Sequence, residues 1–390
     1  MTELFINVKD CSNDLLAFAQ DLVRIKSFSG DEGLAAQAIA SKMRALDYDD
    51  VRIDSMGNVL GRIGSGEKSI LFEAHMDTVQ VHDAEAWAHA PFSGAINGGL
   101  LWGRGSADMK AGLAAAVFAA AAAKSAGTAS GKTIYVSCTV AEEDCDGEGV
   151  KNLLHEFDFK PQAALICEPS NNIITLGHKG KAQIIVKTMG ISAHGSAPEK
   201  GVNAVYEMAG IIQRVEQTNR ELMKKEGRKG TLALARISST AVSLNAVPSE
   251  CEIYLDRRMA PGETEETIRA EMEKIVAGKD AVWEVDTVRR TSWTGAPITY
   301  RPLHPAWEID LEHSLTQACI QACHSVFGSA PEEFSFWDFS TNAVALVSAG
   351  IPCIGFGPGE PKMAHMRDEN CAVSQILDAC AFYAQVIAAI

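Results

Sequence analysis

Histidine and carboxylate side chains follow several short apolar segments of the chain, beyond positions where strands would end. They are His75, Asp77, Glu142, Glu143, Glu168 and His365, and Asp108 joins them from the turn before an alanine-rich helix. In an open α/β sheet the ligand crevice lies at the carboxyl ends of the strands, so we expect these side chains to converge on one crevice. Two histidines and several carboxylates, with no need for a cysteine thiolate, suit Zn²⁺ or a similar divalent ion.

Spacing within this group predicts different roles for neighbouring side chains. Asp77 comes two residues after His75, so in an extended segment both side chains point the same way. The Asp77 carboxylate could then accept the N–H of a metal-binding His75. Glu142 and Glu143 are adjacent and point to opposite sides of an extended chain. One of the two can therefore bind metal while the other faces the attacking water as a general base.

The elements that would position these residues alternate between helical and strand-like patterns. Apolar residues recur at helical spacing in residues 14–23, 33–46, 109–126, 311–327 and 341–348. Short apolar runs predict strands over residues 59–63, 69–74, 133–140, 163–167 and 351–356. We expect residues 64–68 to join the first two strands as a hairpin, and the alanine-rich third helix to be buried against a sheet. This alternation predicts an α/β fold, with a mostly parallel sheet sandwiched by helices.

Near residue 181 the pattern changes to alternating apolar and polar residues, which is typical of antiparallel strands with one solvent-exposed face. Its strand segments are residues 181–189, 231–237, 250–256 and 281–288, and its helical segments are residues 202–224 and 265–276. Four strands and two helices fit a compact α+β module inserted into the main domain. We therefore assign residues 1–180 and 293–390 to a metal-binding catalytic domain and residues 181–292 to an inserted domain.

Composition argues against several classes of partner and location. Hydrophobic residues make up 47% and charged residues 22%, which is ordinary for a globular protein. The net charge of −15 argues against a nucleic-acid backbone or an anionic membrane as partner. The most apolar stretch, residues 111–123, is too short to span a bilayer, and residues 1–4 do not begin a secretory signal. Ten cysteines without CxxC pairs are expected to be reduced, which predicts a cytoplasmic protein.

The motifs together resemble those of the di-zinc deacylases and exopeptidases typified by acetylornithine deacetylase and succinyl-diaminopimelate desuccinylase. The segments that carry the resemblance are His75-Met76-Asp77, Gly103-Arg104-Gly105-Ser106-Ala107-Asp108-Met109-Lys110, Glu142-Glu143, Glu168-Pro169 and His365. Their order and spacing agree with the family over essentially the whole chain. Cys145-Asp146-Gly147 and Phe339-Ser340-Thr341-Asn342 look like a poorly characterised metallohydrolase subgroup within it.

This resemblance implies two Zn²⁺ ions per subunit, with Co²⁺ or Mn²⁺ as substitutes. His75 and Glu168 would hold one ion and Glu143 and His365 the other, with Asp108 bridging them. Asp77 would orient His75, and Glu142 would be the general base. The resemblance also implies a cis peptide bond between Asp108 and Met109.

Further positions match the family's substrate-binding residues. His194, in the segment His194-Gly195-Ser196-Ala197-Pro198, would bind the carbonyl oxygen, and Arg258 would receive the α-carboxylate of the substrate. Lys179 and Asn245 are further expected substrate contacts. Because relatives that prefer dicarboxylic or acetylated amino acids often carry Arg where Lys179 stands, the acyl specificity is left open.

The resemblance implies a zinc-exopeptidase-like fold whose inserted domain makes a homodimer and acts as a lid. The pairing elements would be the helix over residues 202–224 and an edge strand over residues 181–189, which would bring His194 over the partner's metals.

The expected activity is hydrolysis of the amide bond of a small N-acyl amino acid or dipeptide by a metal-activated water. An N-carbamoyl amino acid amidohydrolase remains an alternative, as does a catalytically silent binding protein on the same fold. A thiol hydrolase using a cysteine with His82 or His89 is a third alternative. His304 has no partner in the motif pattern and is expected at the surface or on a helix.

Overall fold

The computed structural model describes residues 10–390, so the expectation about a secretory signal at residues 1–4 lies outside the described residues. The helices are α1 Ser12–Arg24, α2 Gly33–Ala45, α3 Ala111–Ser125, α4 Glu142–Cys145, α5 Glu148–Phe157, α6 Ala204–Lys224, α7 Glu265–Val276, α8 Ser314–Phe327, α9 Ala343–Ser348 and α10 Val373–Ala389. The strands are β1 Asp50–Ile53, β2 Val59–Gly64, β3 Lys68–His75, β4 Ala95–Asn97, β5 Leu100–Trp102, β6 Lys132–Thr139, β7 Ala163–Ile166, β8 Thr175–His178, β9 Gly180–Met189, β10 Thr231–Thr240, β11 Glu250–Met259, β12 Ala281–Val285, β13 Val288–Thr291, β14 Pro297–Tyr300, β15 Leu303–His304, β16 Trp307–Glu308, β17 Ser335–Trp337, β18 Cys353–Gly355 and β19 Asn370–Ala372.

The larger sheet has the strand order β1-β2-β6-β3-β7-β18-β8-β16, with β17 paired to β8. Its central strands β6, β3, β7 and β18 run parallel, whereas β1, β2 and β16 pair antiparallel with their neighbours. Helix α3 packs against β2, β3 and β6 and against α1 and α10. The fold is therefore α/β with a mainly parallel central sheet covered by helices, as the sequence predicts.

Helix α3 is buried along nearly all of its length because small alanine side chains let it pack on every side. A short kinked segment, Ser106–Lys110, precedes it, and its backbone is not helical at Asp108 and Met109. The combined stretch Ser106–Ser125 is long enough to cross a membrane and has a mean hydropathy of 1.2, which the sequence estimate based on residues 111–123 missed. Its most apolar window of 18 residues is entirely buried inside the fold, as is usual for a core helix, and Ser125 at its end is exposed.

A second, antiparallel sheet has the strand order β10-β11-β9-β12, with β15 paired to β9. Helices α6 and α7 pack against it and against each other. Alternate residues of β9 and β11 are buried with apolar residues of both helices in a separate core; examples are Ile184, Ile253, Met208 and Met272.

Two details of strand pairing differ from the sequence prediction. The expected hairpin of β2 and β3 is wrong, because β6 lies between them. Both strands carry apolar residues on both faces and gain burial from a central position in the sheet. The expected edge strand over residues 181–189 is also wrong, because β9 lies between β11 and β12, and β10 and β12 form the two edges.

Candidate metal centre and active-site cavity

The carboxyl ends of the parallel strands bring the predicted site residues together. His75 is the last residue of β3, Glu142 follows β6, Glu168 follows β7, and His365 lies in the loop after β18. Since these strands run parallel, their carboxyl ends meet at one edge of the sheet.

Asp108 lies between the two histidines. Its Oδ1 atom is 3.1 Å from Nε2 of His75, and its Oδ2 atom is 3.3 Å from Nε2 of His365. Glu168 Oε1 is 3.6 Å from the same His75 nitrogen, and Glu143 Oε2 is 2.8 Å from the His365 nitrogen. One carboxylate thus faces two imidazoles, and each imidazole has a second carboxylate beside it.

Two overlapping groups of side chains have ligand atoms within 4.8 Å of one another. One contains His75, Asp108 and Glu143, and the other contains His75, Glu142 and Glu168. Within the described chain, the buried Oε1 atom of Glu143 has no hydrogen-bond partner. A buried carboxylate oxygen without a donor is costly unless a cation or a water satisfies it. Nitrogen and oxygen ligands at this spacing fit Zn²⁺ or a similar ion.

Burial and mutual repulsion shape the ionisation of the cluster. Burial raises the pKa of Glu142 and of Glu168 well above the usual range, and neighbouring carboxylates add to the effect. Hydrogen bonds with Asp108 and Glu143 raise the pKa of His365 to about 10. So many carboxylates in a buried site attract positive charge, whether protons or metal ions.

The acidic pair and Asp77 differ from the predicted arrangement. Glu142 and Glu143 are not in an extended segment but begin the single-turn helix α4. The Asp77 carboxylate accepts the backbone N–H of Glu142 at 3.1 Å and of Glu143 at 3.2 Å. His75 Nδ1 lies 3.0 Å from the backbone carbonyl oxygen of Asp77 and 3.5 Å from its carboxylate, so the carbonyl is the nearer acceptor.

Sequence reasoning missed the residues that hold the turn around Asp108. Glu369 is fully buried, and its Oε1 atom accepts the N–H of Ala107 at 2.9 Å and of Asp108 at 3.0 Å. Its other oxygen is 2.6 Å from Arg104 Nη1. The peptide bond between Asp108 and Met109 is cis, as the resemblance implies. Arg104 belongs to the recognised motif, but its pairing with Glu369 depends on contacts between distant parts of the chain.

A cavity of about 290 Å³ opens beside the metal-site residues. Besides Asp108, Glu142, Glu143, Glu168 and His365, it is lined by Asp146, Lys181, Arg258, Phe339, Ser340 and Ala364. Of the predicted substrate contacts, Arg258 is therefore at the cavity. Lys179 is not among the lining residues and pairs instead with Asp338 at 2.7 Å.

His194 and Asn245 lie together in the segments after β9 and after β10, and neither lines the cavity of its own chain. Both are exposed, and the backbone carbonyl of Asn245 accepts the N–H of Gly195 at 2.6 Å. His194 Nδ1 accepts the backbone N–H of Ser196 at 3.1 Å. A neutral imidazole in this arrangement carries its proton on Nε2, which can then donate a hydrogen bond.

Two minor expectations can be compared with the structure. His304 is neither at the surface nor on a helix: it is buried in β15, and its Nε2 atom is hydrogen-bonded to the Tyr300 hydroxyl at 2.8 Å. Burial raises the pKa of the Cys145 thiol to about 12 and that of Cys167 well above its usual range. Neither thiol beside the site is therefore activated as a nucleophile.

Comparison with known proteins agrees with these features. Residues 71–389 match the pattern of peptidase family M20/M25/M40. The chain is 35% identical to the uncharacterized protein YgeY of Escherichia coli, over 97% of this chain and 94% of that protein. It is 27% identical to succinyl-diaminopimelate desuccinylase of Cereibacter sphaeroides, over 96% and 98% of the two chains.

Among solved structures, the fold resembles the YXEP protein of Bacillus subtilis, described as a dinuclear metal-binding peptidase of the M20 family. The TM-score is 0.69 at 14% identity, and the match covers 97% of this chain and 98% of that one. From the match to its sequence pattern, together with the shared fold, the chain belongs to peptidase family M20/M25/M40.

Proposed function

We propose that this M20 protein is a hydrolase that uses two metal ions to cleave the amide bond of a small N-acyl amino acid or dipeptide. The observation that carries the proposal is the position of Asp108, whose two oxygens face different histidines. In this assignment His75 and Glu168 would hold one ion, Glu143 and His365 would hold the other, and Asp108 would contribute an oxygen to each. Zn²⁺ is the proposed ion, and Co²⁺ or Mn²⁺ are substitutes.

When bound, the metal ions supply Lewis acidity, which polarises the substrate carbonyl and lowers the pKa of water. Glu142 is the proposed general base, since it lines the cavity beside His75 and Glu168 and burial raises its pKa. It takes a proton from the attacking water and then passes it to the leaving amine. Asp77 holds the segment that carries Glu142 through the two backbone N–H groups.

Arg258 is the proposed binder of the substrate carboxylate. Asp256 accepts hydrogen bonds from its Nε atom at 2.7 Å and its Nη2 atom at 3.0 Å, so the remaining N–H groups of the guanidinium can reach a ligand. A cavity of about 290 Å³ suits a small substrate. Lys179 and Asn245 do not line this cavity. They remain proposed contacts to the substrate in a form of the protein in which the lid has closed or two subunits have paired.

His194 is proposed to act in the partner's site within a homodimer, with its Nε2 proton donated to the oxyanion. Helix α6 and the edge strand β10 are the proposed pairing elements. Both carry exposed apolar side chains, among them Tyr206 at 76% exposure and Ile237 at 51%. A symmetric contact would cover these side chains and the open edge of β10.

A substrate screen tests the function. Purified protein loaded with zinc is assayed against N-acyl amino acids, dipeptides and N-carbamoyl amino acids, with and without a chelator. Chelator-sensitive release of an amino acid from the first two classes supports the proposal. Exclusive hydrolysis of N-carbamoyl compounds, or activity that survives chelation, would contradict it. In the same assay Glu142→Gln should lose turnover, since Glu142 is the proposed base. Glu148→Gln is its matched control, because Glu148 pairs with Lys151 and does not line the cavity.

A further inference from the structure

Part of the active-site cavity is formed by polar residues that the proposed reaction does not use. Asp146, Lys181 and Ser340 line it, and we call these three residues the polar wall. Asp146 follows the single-turn helix that begins with Glu142, and its charge contributes to the raised pKa of Glu142. The polar wall therefore lies close to the proposed general base. Lys181 lies in β9 of the antiparallel sheet, whereas Ser340 follows β17 of the larger sheet, so the wall contains residues from beside both sheets.

The cations at the cavity already have carboxylate partners. Lys181 Nζ is 2.9 Å from Asp146 Oδ1, and Arg258 is held in a two-point contact by Asp256. A second carboxylate on the substrate would therefore meet no unpaired cation at the polar wall. It would also lie against Asp146, which is 2% exposed, and like charges in a buried site repel strongly.

Two buried polar atoms of the wall have no well-formed hydrogen bond. Within residues 10–390, Asp146 Oδ2 and Ser340 Oγ make no hydrogen bond of good geometry, although the Ser340 hydroxyl lies close enough to Asp146 to help lower the pKa of that carboxyl. The Tyr300 hydroxyl and Lys181 both bind the other oxygen, Oδ1. Lys181 retains further N–H donors, because an ammonium group has three. The wall thus offers an acceptor and a donor side by side.

We propose that the polar wall is a specificity subsite for a neutral group with both N–H donors and a carbonyl acceptor, namely a primary carboxamide or a ureido group. This rests on the proposed hydrolase function. The N–H of the group donates to Asp146 Oδ2, and its carbonyl oxygen accepts from Lys181. Ser340 can donate or accept and completes the contact. An ammonium group fits less well, because the positive charge of Lys181 repels it and because it has no carbonyl oxygen to accept from Lys181.

Isosteric substrate pairs test this subsite on both sides of the scissile bond. On the leaving side the pair is N-acetylglutamine and N-acetylglutamate, and on the acyl side it is N-succinamoylalanine and N-succinylalanine. We expect the carboxamide member of at least one pair to have the higher kcat/KM by roughly tenfold or more, because a site with unpaired polar groups rejects a mismatched analogue. The dissociation constants of the corresponding products, measured by calorimetry, should show the same preference without turnover. The products compared are glutamine with glutamate, and succinamate with succinate.

Asp146→Asn provides the reciprocal test. An amide in place of the carboxylate supplies a donor and releases Lys181, so the preference should invert toward the carboxylate member of the same pair. Asp144→Asn is the matched control, since Asp144 pairs with Arg290 and is not among the residues lining the cavity. It should keep the preference of the wild-type protein. Thermal unfolding of each variant identifies any loss of fold, and Ser340→Ala should reduce the same preference if Asp146→Asn does not fold.

The possible failures are distinguishable. Equal or reversed preference in the wild-type protein, or a ratio that neither Asp146→Asn nor Ser340→Ala changes, would overturn the subsite while leaving the hydrolase function intact. Absence of hydrolysis of any N-acyl amino acid or dipeptide by zinc-loaded protein would overturn both proposals.

Discussion

The carboxylate of Asp77 accepts a hydrogen bond from the backbone N–H of Glu142, across the gap between two neighbouring parallel strands. Its second oxygen accepts the N–H of Glu143 and the hydroxyl of Ser29. A residue after β3 thereby fixes the start of the segment after β6. The same aspartate offers its backbone carbonyl to His75, so one residue orients both a proposed metal ligand and the proposed base.

Asp77→Asn should weaken the site without removing a proposed ligand. The amide has one acceptor oxygen where the carboxylate has two, so one of the N–H groups of Glu142 and Glu143 loses its partner. We expect a loss of roughly 10–100-fold in activity or metal affinity, the usual effect of losing such a supporting contact. Metal titration and kcat/KM measure it. Ser29→Ala removes only one of the contacts of Asp77 and should have a smaller effect; an equal loss would contradict this account.

Glu142→Gln and Glu143→Gln should have different consequences. Glu142 is the proposed base, so its variant should lose turnover by at least about a hundredfold while retaining metal. Glu143→Gln should bind one ion more weakly, because its carboxylate faces His365 at 2.8 Å. Metal analysis beside kcat separates the two roles. Glu142 also belongs to a group with His75 and Glu168 that could hold an ion, so equal metal loss in both variants would show that it is a ligand and not the base.

Subunit mixing tests the proposed position of His194 across a dimer. His194→Ala and Glu142→Ala subunits are each expected to be inactive alone. In a mixed dimer one site would combine an intact Glu142 with the His194 of the other subunit, so activity should return to about half of the wild-type level per mixed dimer. If the subunits are shown to exchange and no activity returns, His194 acts within its own chain or has no role in the reaction.

His178 should make the folded state less stable in mild acid. It is fully buried, its Nδ1 donates to the Lys179 carbonyl at 2.8 Å, and its Nε2 accepts the N–H of Thr341 at 3.3 Å, so it is held neutral. Burial lowers its pKa to about 4, from 6.5 in an exposed histidine. Between these values the unfolded chain binds the proton and the folded chain does not, so stability falls as the pH decreases from about 6.5 to about 4.

His178→Gln should remove about 2 kcal/mol of the stability loss between about pH 7.5 and about pH 5, because glutamine keeps a donor and an acceptor but does not titrate. Urea unfolding at both pH values measures it. His324→Gln on the exposed face of α8 is the control and should leave the pH dependence unchanged. If the two variants behave alike, His178 is not the source of this pH dependence.

Much of the fold follows from local pattern, because buried parallel strands and an alanine-rich core helix have distinctive sequences. Strand order does not: β2 and β3 are neighbours in sequence, yet β6 separates them, and the interior position of β9 depends on contacts with β11 and β12. Periodicity predicts which residues of a strand are buried but not which strand lies beside it.

The candidate site, like the fold, was predicted only in part. Residues at strand ends, such as His75 and Glu168, could be found because the ends of parallel strands must converge. Glu369 could not, since its contacts with Arg104 and with the backbone of Asp108 join segments far apart in sequence. Asp146 and Lys181 were likewise not recognised as a pair, because the contact forms only where the two sheets meet.

Zinc titration with metal analysis and activity measured on the same samples tests the central claim most directly. Protein freed of metal by a chelator is titrated with zinc, and hydrolysis of an N-acyl amino acid is measured at each zinc concentration. The account predicts two bound ions per chain and activity that is regained with them; anomalous diffraction should then place the ions about 3.5 Å apart beside Asp108. A plateau at one ion or none with excess zinc, or full activity before zinc is added, would contradict it.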